Sequence, residues 1–200
     1  MVKALLAALA LLLMGWDVAQ ANPALSEGQR LTQGQCAVCH GPNGQSGSDK
    51  FPRLAGQNAQ YLLKQMKDFA SGQRTSPVMK SQSNRLTDSQ MRAVALFYEQ
   101  QSAAHTPSDD ALLSGVGRYV FERGNAFAGL PACLSCHGTD ARGTATLPRL
   151  AGQHPSYIVA QMRGFAQRKR ANDASVMGMV AKSMNELELQ AVATYLGQLK

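Results

Sequence analysis

The 200-residue sequence predicts an all-α protein built from two tandem domains of one kind. Three observations carry this. The chain repeats itself over most of its length. Apolar residues recur at helical spacing behind capping residues, and no window alternates apolar and polar residues with β-branched enrichment. Each half also holds one Cys-x-x-Cys-His segment followed by a glycine-rich stretch.

At the amino terminus, Met1-Val2-Lys3 places one positive charge before an apolar run from Ala4 to Gly15, too short to span a bilayer. Ala19-Gln20-Ala21 then gives a small-x-small cleavage pattern. Residues 1–21 are expected to be a secretory signal removed before Asn22, with an uncleaved anchor as the alternative. The expected compartment is the periplasm.

The repeat sets the domain count. Cys36-Ala37-Val38-Cys39-His40-Gly41 returns as Cys133-Leu134-Ser135-Cys136-His137-Gly138, and Pro52-Arg53-Leu54-Ala55-Gly56-Gln57 returns as Pro148-Arg149-Leu150-Ala151-Gly152-Gln153. Tyr61, Gln65, Met66, Phe69 and Arg74 match Tyr157, Gln161, Met162, Phe165 and Arg170. After two extra residues near Asn172-Asp173, Met79 aligns with Met177 and Leu86 with Met184. The first domain is expected over 22–103, a polar, proline-bearing linker over 104–110, and the second domain over 111–200.

Helices are expected at about Ser26–Ala37, Ala59–Ser71 and Asp88–Gln101, then at Ser108–Glu122, Ser156–Arg168 and Glu186–Leu199. Ser26 and Ser108 suit N-caps, and Thr87 with Gln90 suits a capping box. A domain of this size buries only a modest core unaided, so a large apolar cofactor is expected to complete it.

The formal charge is +7. Between Asn22 and Thr106 there are nine basic and five acidic residues, and beyond them ten and seven, so the basicity is shared and not a tail. There is no basic cluster interleaved with aromatics, which leaves nucleic-acid binding without support. The charge suits an acidic protein partner and allows association with an anionic membrane surface; plain solvation accounts for it equally well.

The chemistry lies in the cysteine segments. Cys-x-x-Cys-His is a c-type haem attachment signature. Two cysteines three apart bring both sulfurs to one side of a helical turn, where they can bond the vinyl groups of one haem, and the next residue can set its imidazole on the iron. All four cysteines, Cys36, Cys39, Cys133 and Cys136, belong to these segments, followed by His40 and His137. A thioredoxin-like pair lacks its βαβ context, and a four-cysteine zinc site leaves both histidines unexplained. Two disulfides, each closing a tiny loop, remain as a rival.

These motifs resemble those of the class I cytochromes c, and the doubled pattern is similar to the dihaem cytochrome c4 family over nearly the whole mature chain. The resemblance implies helices wrapped around each of two covalent haem c groups, with His/Met coordination of iron. Repeat position and resemblance together assign Met79 to the first haem and Met177 to the second, each expected in a loop before the last helix; Met179 is the competitor of Met177. Met66 and Met162 suit core packing instead. The resemblance also makes the carbonyls of Pro52 and Pro148 the acceptors for the ligand histidines. Arg53 and Arg149, one residue on, are candidates for the haem propionates. His105 and His154 are expected to be exposed and not ligands.

A thioether favours ferrous iron and a filled coordination sphere leaves no place for substrate. The expected function is therefore electron transfer, not catalysis and not small-molecule binding. Resemblance implies a carrier from a quinol-oxidising complex (quinol:cytochrome c reductase) to a haem-copper terminal oxidase. The cytochrome subunit of a larger dehydrogenase, such as flavocytochrome sulfide dehydrogenase, is the alternative. A dihaem peroxidase would need an open iron, and the repeat supplies both halves with a methionine.

Overall fold

A computed structural model describes residues 22–200; the expected signal at 1–21 lies outside the described residues. These are helical throughout apart from loops and a single antiparallel bridge between Asn125 and Leu130. No helix among them is long and apolar enough to cross a membrane.

Helix α1 (Pro23–Leu31) starts earlier than expected. Asn22 caps it by accepting from Ala24 N at 3.0 Å with Pro23 at the first helical position, so Ser26 lies inside the helix and donates back to the Pro23 carbonyl. A proline pre-set for helix dihedrals behind an Asx cap outcompetes a serine three residues on. A π-turn over Thr32–Cys36 carries the chain straight into α2 (Ala37–His40), which ends at Gly41 with φ +76°. Helices α3 (Ala59–Ser71), α4 (Pro77–Ser83) and α5 (Asp88–Glu99) complete the first half, with the Thr87/Gln90 capping box formed.

In the second half α6 (Ala111–Arg123) is capped by Asp110, not by Ser108, whose hydroxyl instead accepts from Asp110 N. Before α7 (Leu134–His137) the chain makes an extra turn, held to the last helix by Asn125 Nδ2 donating to Glu188 at 2.6 Å. Then follow α8 (Pro155–Ala166), α9 (Val176–Lys182) and α10 (Glu186–Gln198), the last opened by an Asn185/Glu188 capping box.

In each half the first long helix crosses the last: α1 on α5 and α6 on α10. The crossings are close because a glycine sits at each. A Cβ on Gly28 would lie 2.3 Å from the Ala93 carbonyl oxygen, and one on Gly117 would lie 2.0 Å from that of Ala191. Around these crossings Leu31, Val94 and Tyr98 are buried in one core, and Phe121, Val192 and Leu196 in the other. Side chains of that kind contribute about 1.5–3 kcal/mol each on burial.

The two halves are docked by polar groups that repeat about a pseudo-two-fold relation. Arg74 donates to Tyr157 Oη and Gln161 Oε1, both at 2.8 Å, while Arg170 donates to Tyr61 Oη at 2.9 Å and Gln65 Oε1 at 3.3 Å. Each guanidinium also stacks on a phenylalanine of its own half, Arg74 over Phe69 and Arg170 over Phe165. Lys64 and Asn172 close the network on the buried Asp68. Residues 100–110 form no helix; Thr106 N donates to Gly197 O at 2.7 Å, fastening this stretch to the end of α10.

Candidate haem sites

Each site begins with a cysteine pair presented on a short helix. Cys36 and Cys133 are partly buried, and no cysteine is in a disulfide, so the disulfide reading finds no support. Burial raises the Cys36 thiol and pushes that of Cys133 up to about 11. An apolar bed that disfavours thiolate suits a sulfur destined for a neutral thioether.

The histidines that follow are buried, and each is held by its Nδ1. His40 Nδ1 donates to the Pro52 carbonyl at 2.9 Å and His137 Nδ1 to the Pro148 carbonyl at 3.1 Å. A carbonyl only accepts, so the proton sits on Nδ1 and the Nε2 lone pair is left for a metal. Burial holds both imidazoles below the ordinary histidine pKa, with the proline carbonyls pulling the other way.

The methionines stand on helices, not in loops as expected. Met79 lies in the first turn of α4, where Ser76 caps the backbone and Pro77 opens the helix. Met177 lies in the first turn of α9, which the chain enters through left-handed Ala174 and Ser175, with Asp173 accepting from Met177 N. In both places a side-chain oxygen satisfies free helix N–H groups that a loop would leave to solvent. Met79 and Met177 are half-buried, whereas Met179 is 65% exposed. Helix α4 packs on α3, and α9 on α8.

Arg53 and Arg149 turn toward backbone. Arg53 donates from Nη1 to the Gly152 carbonyl of the other half and from Nε to Gln45 O at 3.2 Å; Arg149 donates from Nε to Ala151 O at 3.0 Å. His154, expected to be exposed, is buried: its Nε2 donates to the Ser46 carbonyl across the interface at 3.0 Å. Docking of the halves covers it, which local sequence does not report. His105 is half-buried in the connecting stretch.

Several participants carried no functional signal in the sequence. Tyr98 is sealed in the first core with its hydroxyl lacking a hydrogen-bond partner of good geometry among the described residues and lying close to the Cys36 sulfur; Leu196 takes its place in the second half. Gln57, Gln153, Arg74 and Arg170 served as markers of the repeat, and their role in docking appears only in three dimensions. Their recurrence as polar residues, with no apolar face to account for it, was the available clue.

Paired sulfurs and an anchored imidazole with a free Nε2 fit a covalent haem in each half, and in the first half a buried orphan hydroxyl lies beside the first cysteine. The family model for cytochrome c matches residues 25–103 and again 121–200. The fold and sites therefore define a two-domain c-type cytochrome, an electron-transfer protein with two covalent haem c groups. The chain is 34% identical to cytochrome c4 of Pseudomonas aeruginosa, across 80% of this chain and 82% of that one. It is 38% identical to a thiosulfate dehydrogenase electron acceptor of Stutzerimonas stutzeri, across 85% of each. The crystal structure of reduced cytochrome c4 from Pseudomonas stutzeri superposes with a TM-score of 0.83 at 31% identity, covering 88% of this chain and 98% of that chain. The chain belongs to the cytochrome c4 family.

Proposed function

We propose that the protein is a periplasmic carrier of single electrons, divided at 22–103, 104–110 and 111–200, that takes electrons from a quinol-oxidising complex and delivers them to a haem-copper terminal oxidase. Cys36 and Cys39 would hold the first haem and Cys133 and Cys136 the second, with His40 and Met79, and His137 and Met177, as the ligands of each iron. The haem supplies the one-electron chemistry when bound. The protein's part is to fix each histidine through a proline carbonyl, bring a thioether from a capped helix turn, and keep water and ligands from the iron. Arg53 and Arg149, next in sequence to those carbonyls, would reach the propionates through the guanidinium nitrogens that their backbone bonds leave over, Nη2 of Arg53 and both Nη of Arg149.

The observation that carries this reading is the duplicated anchoring of His40 and His137, which leaves one coordinating nitrogen free in each half. The half-buried placement of Met177 against the exposed Met179 supports the choice between them. Acid-acetone extraction and iron analysis test the cofactor assignment: the colour should stay with the protein at two irons per chain, and colour in the solvent or one iron per chain would overturn it.

A second reading has its own support. Two curated relatives are named thiosulfate dehydrogenase electron acceptors, and a thiosulfate dehydrogenase structure from Marichromatium purpuratum matches 88% of this chain at a TM-score of 0.79, this chain covering 40% of that one. The same carrier would then accept electrons from a thiosulfate-oxidising enzyme. A cytochrome subunit of sulfide dehydrogenase matches only 34% of this chain. Stopped-flow reduction by a purified thiosulfate dehydrogenase, set beside reduction by a quinol-oxidising complex, decides which donor is faster.

A further inference from the structure

We propose that Gln57 and Gln153 are positioning residues, each setting the donor strength of the axial histidine in the opposite domain. This rests on the reading of His40 and His137 as iron ligands.

The Pro52–Arg53 peptide group is bonded at both ends. Its carbonyl accepts from His40 Nδ1 at 2.9 Å, and its N–H, on Arg53, donates to Gln153 Oε1 at 2.9 Å. The Pro148–Arg149 peptide does the same: its carbonyl accepts from His137 Nδ1 at 3.1 Å and its N–H donates to Gln57 Oε1 at 2.8 Å. Each glutamine returns a bond, Gln153 Nε2 to Arg53 O at 3.0 Å and Gln57 Nε2 to Arg149 O at 2.9 Å. Both side chains are buried, and each Oε1 also accepts the N–H of the next residue, Asn58 or His154, which fixes the amide orientation.

A peptide group is conjugated, so an acceptor on its N–H pushes electron density toward its carbonyl oxygen. Hydrogen bonds in such a chain strengthen one another by about 10–30% each. A better acceptor at Nδ1–H makes the imidazole a stronger donor at Nε2, which favours ferric iron. Each glutamine therefore lowers the potential of the haem in the other domain, and docking of the domains is felt at both irons through one peptide each. A role confined to holding the interface would not distinguish between the two haems.

The test uses the holoprotein, with each haem followed through its own methyl resonances during a redox titration. In Gln153→Ala the first-domain haem should shift about twofold toward the reduced form, an increase of ~18 mV at 59 mV per tenfold for one electron, with the second haem unmoved. Gln57→Ala should do the converse, and the His40 or His137 ring N–H of the affected haem should exchange faster with solvent. Arg74→Ala removes the Tyr157 and Gln161 bonds of the same interface but leaves both peptide relays, and it should shift neither potential. Equal shifts of both haems in each glutamine variant, an equal shift in Arg74→Ala, or no shift in any variant would overturn the proposal. A His40→Ala variant checks the underlying ligation: a retained low-spin spectrum would detach that histidine from the iron and remove the basis of the relay. A lost low-spin spectrum with unmoved potentials in the glutamine variants would overturn the relay alone.

Discussion

Two glycines in one helix should respond to alanine with opposite signs. Gly115 and Gly117 both lie in α6, Gly115 facing solvent with nothing within 4 Å of the place a Cβ would take, and Gly117 against α10. Alanine at 115 removes the helix penalty of glycine and should stabilise the second domain by up to about 1 kcal/mol. Alanine at 117 has the same propensity gain, but its Cβ would sit 2.0 Å from Ala191 O, 2.4 Å from Ala191 C and 2.9 Å from Tyr195 Cβ. Backbone cannot rotate away as a side chain can, so the helices must part by about 1 Å, and overpacking of this kind costs about 1–3 kcal/mol or more. Less the propensity gain of up to about 1 kcal/mol, the net loss is about 0–2 kcal/mol, and larger where the backbone does not yield, against a gain at 115. For a domain of this size each kcal/mol moves Tm by about 4–8 °C. Thermal and guanidinium unfolding of the holoprotein, followed at the haem absorption band, reads both changes. Equal stability of the two variants would refute the close crossing of α6 and α10, and Gly28→Ala, with its Cβ 2.3 Å from Ala93 O, should repeat the Gly117 result in the first domain.

Replacing Met79 with alanine should lower the potential of the first haem and admit carbon monoxide while the haem stays attached, because the thioether tunes and blocks the iron without holding the porphyrin; an unchanged redox titration with carbon monoxide still excluded would point to another ligand such as Met66. His154 is held below its ordinary pKa, first by burial and then by the Arg53 charge, with the Ser46 carbonyl and Asp49 opposing. The fold thus favours the neutral ring, and its contribution is full above the unfolded value near ~6.5 and lost as pH falls below it toward the folded value. Stability of the holoprotein should decline over that interval, and His154→Gln should flatten the decline; an identical pH slope in the variant would remove His154 as the cause. Transfer to an acidic redox partner should slow as ionic strength rises, since screening shortens electrostatic reach to about 10 Å at 0.1 M salt. A salt-independent stopped-flow rate would leave an apolar contact at the haem edge as the better account.

The helix α3 was legible to the residue, and α5 and α10 nearly so, because apolar spacing and capping boxes are local signals that neighbouring residues complete among themselves. The haem signature was legible for a similar reason: its chemistry requires two sulfurs and an imidazole within five residues. Where local cues competed, as at Asn22-Pro23 against Ser26, or where a helix of seven residues depended on one cap, as at α4 and α9, the sequence pattern did not decide the outcome. By itself, then, the sequence determined the class of fold, the duplication, and the two attachment motifs with the histidine that closes each, all of which are set within short stretches or by their recurrence. Tertiary structure alone decided that Gly28 and Gly117 are crossing points, that His154 is buried, and that Gln57 and Gln153 reach the peptides beneath the opposite histidines. Those contacts join residues far apart in the chain, and a hydrogen bond or a steric limit between such residues exists only once the helices and the two domains have packed.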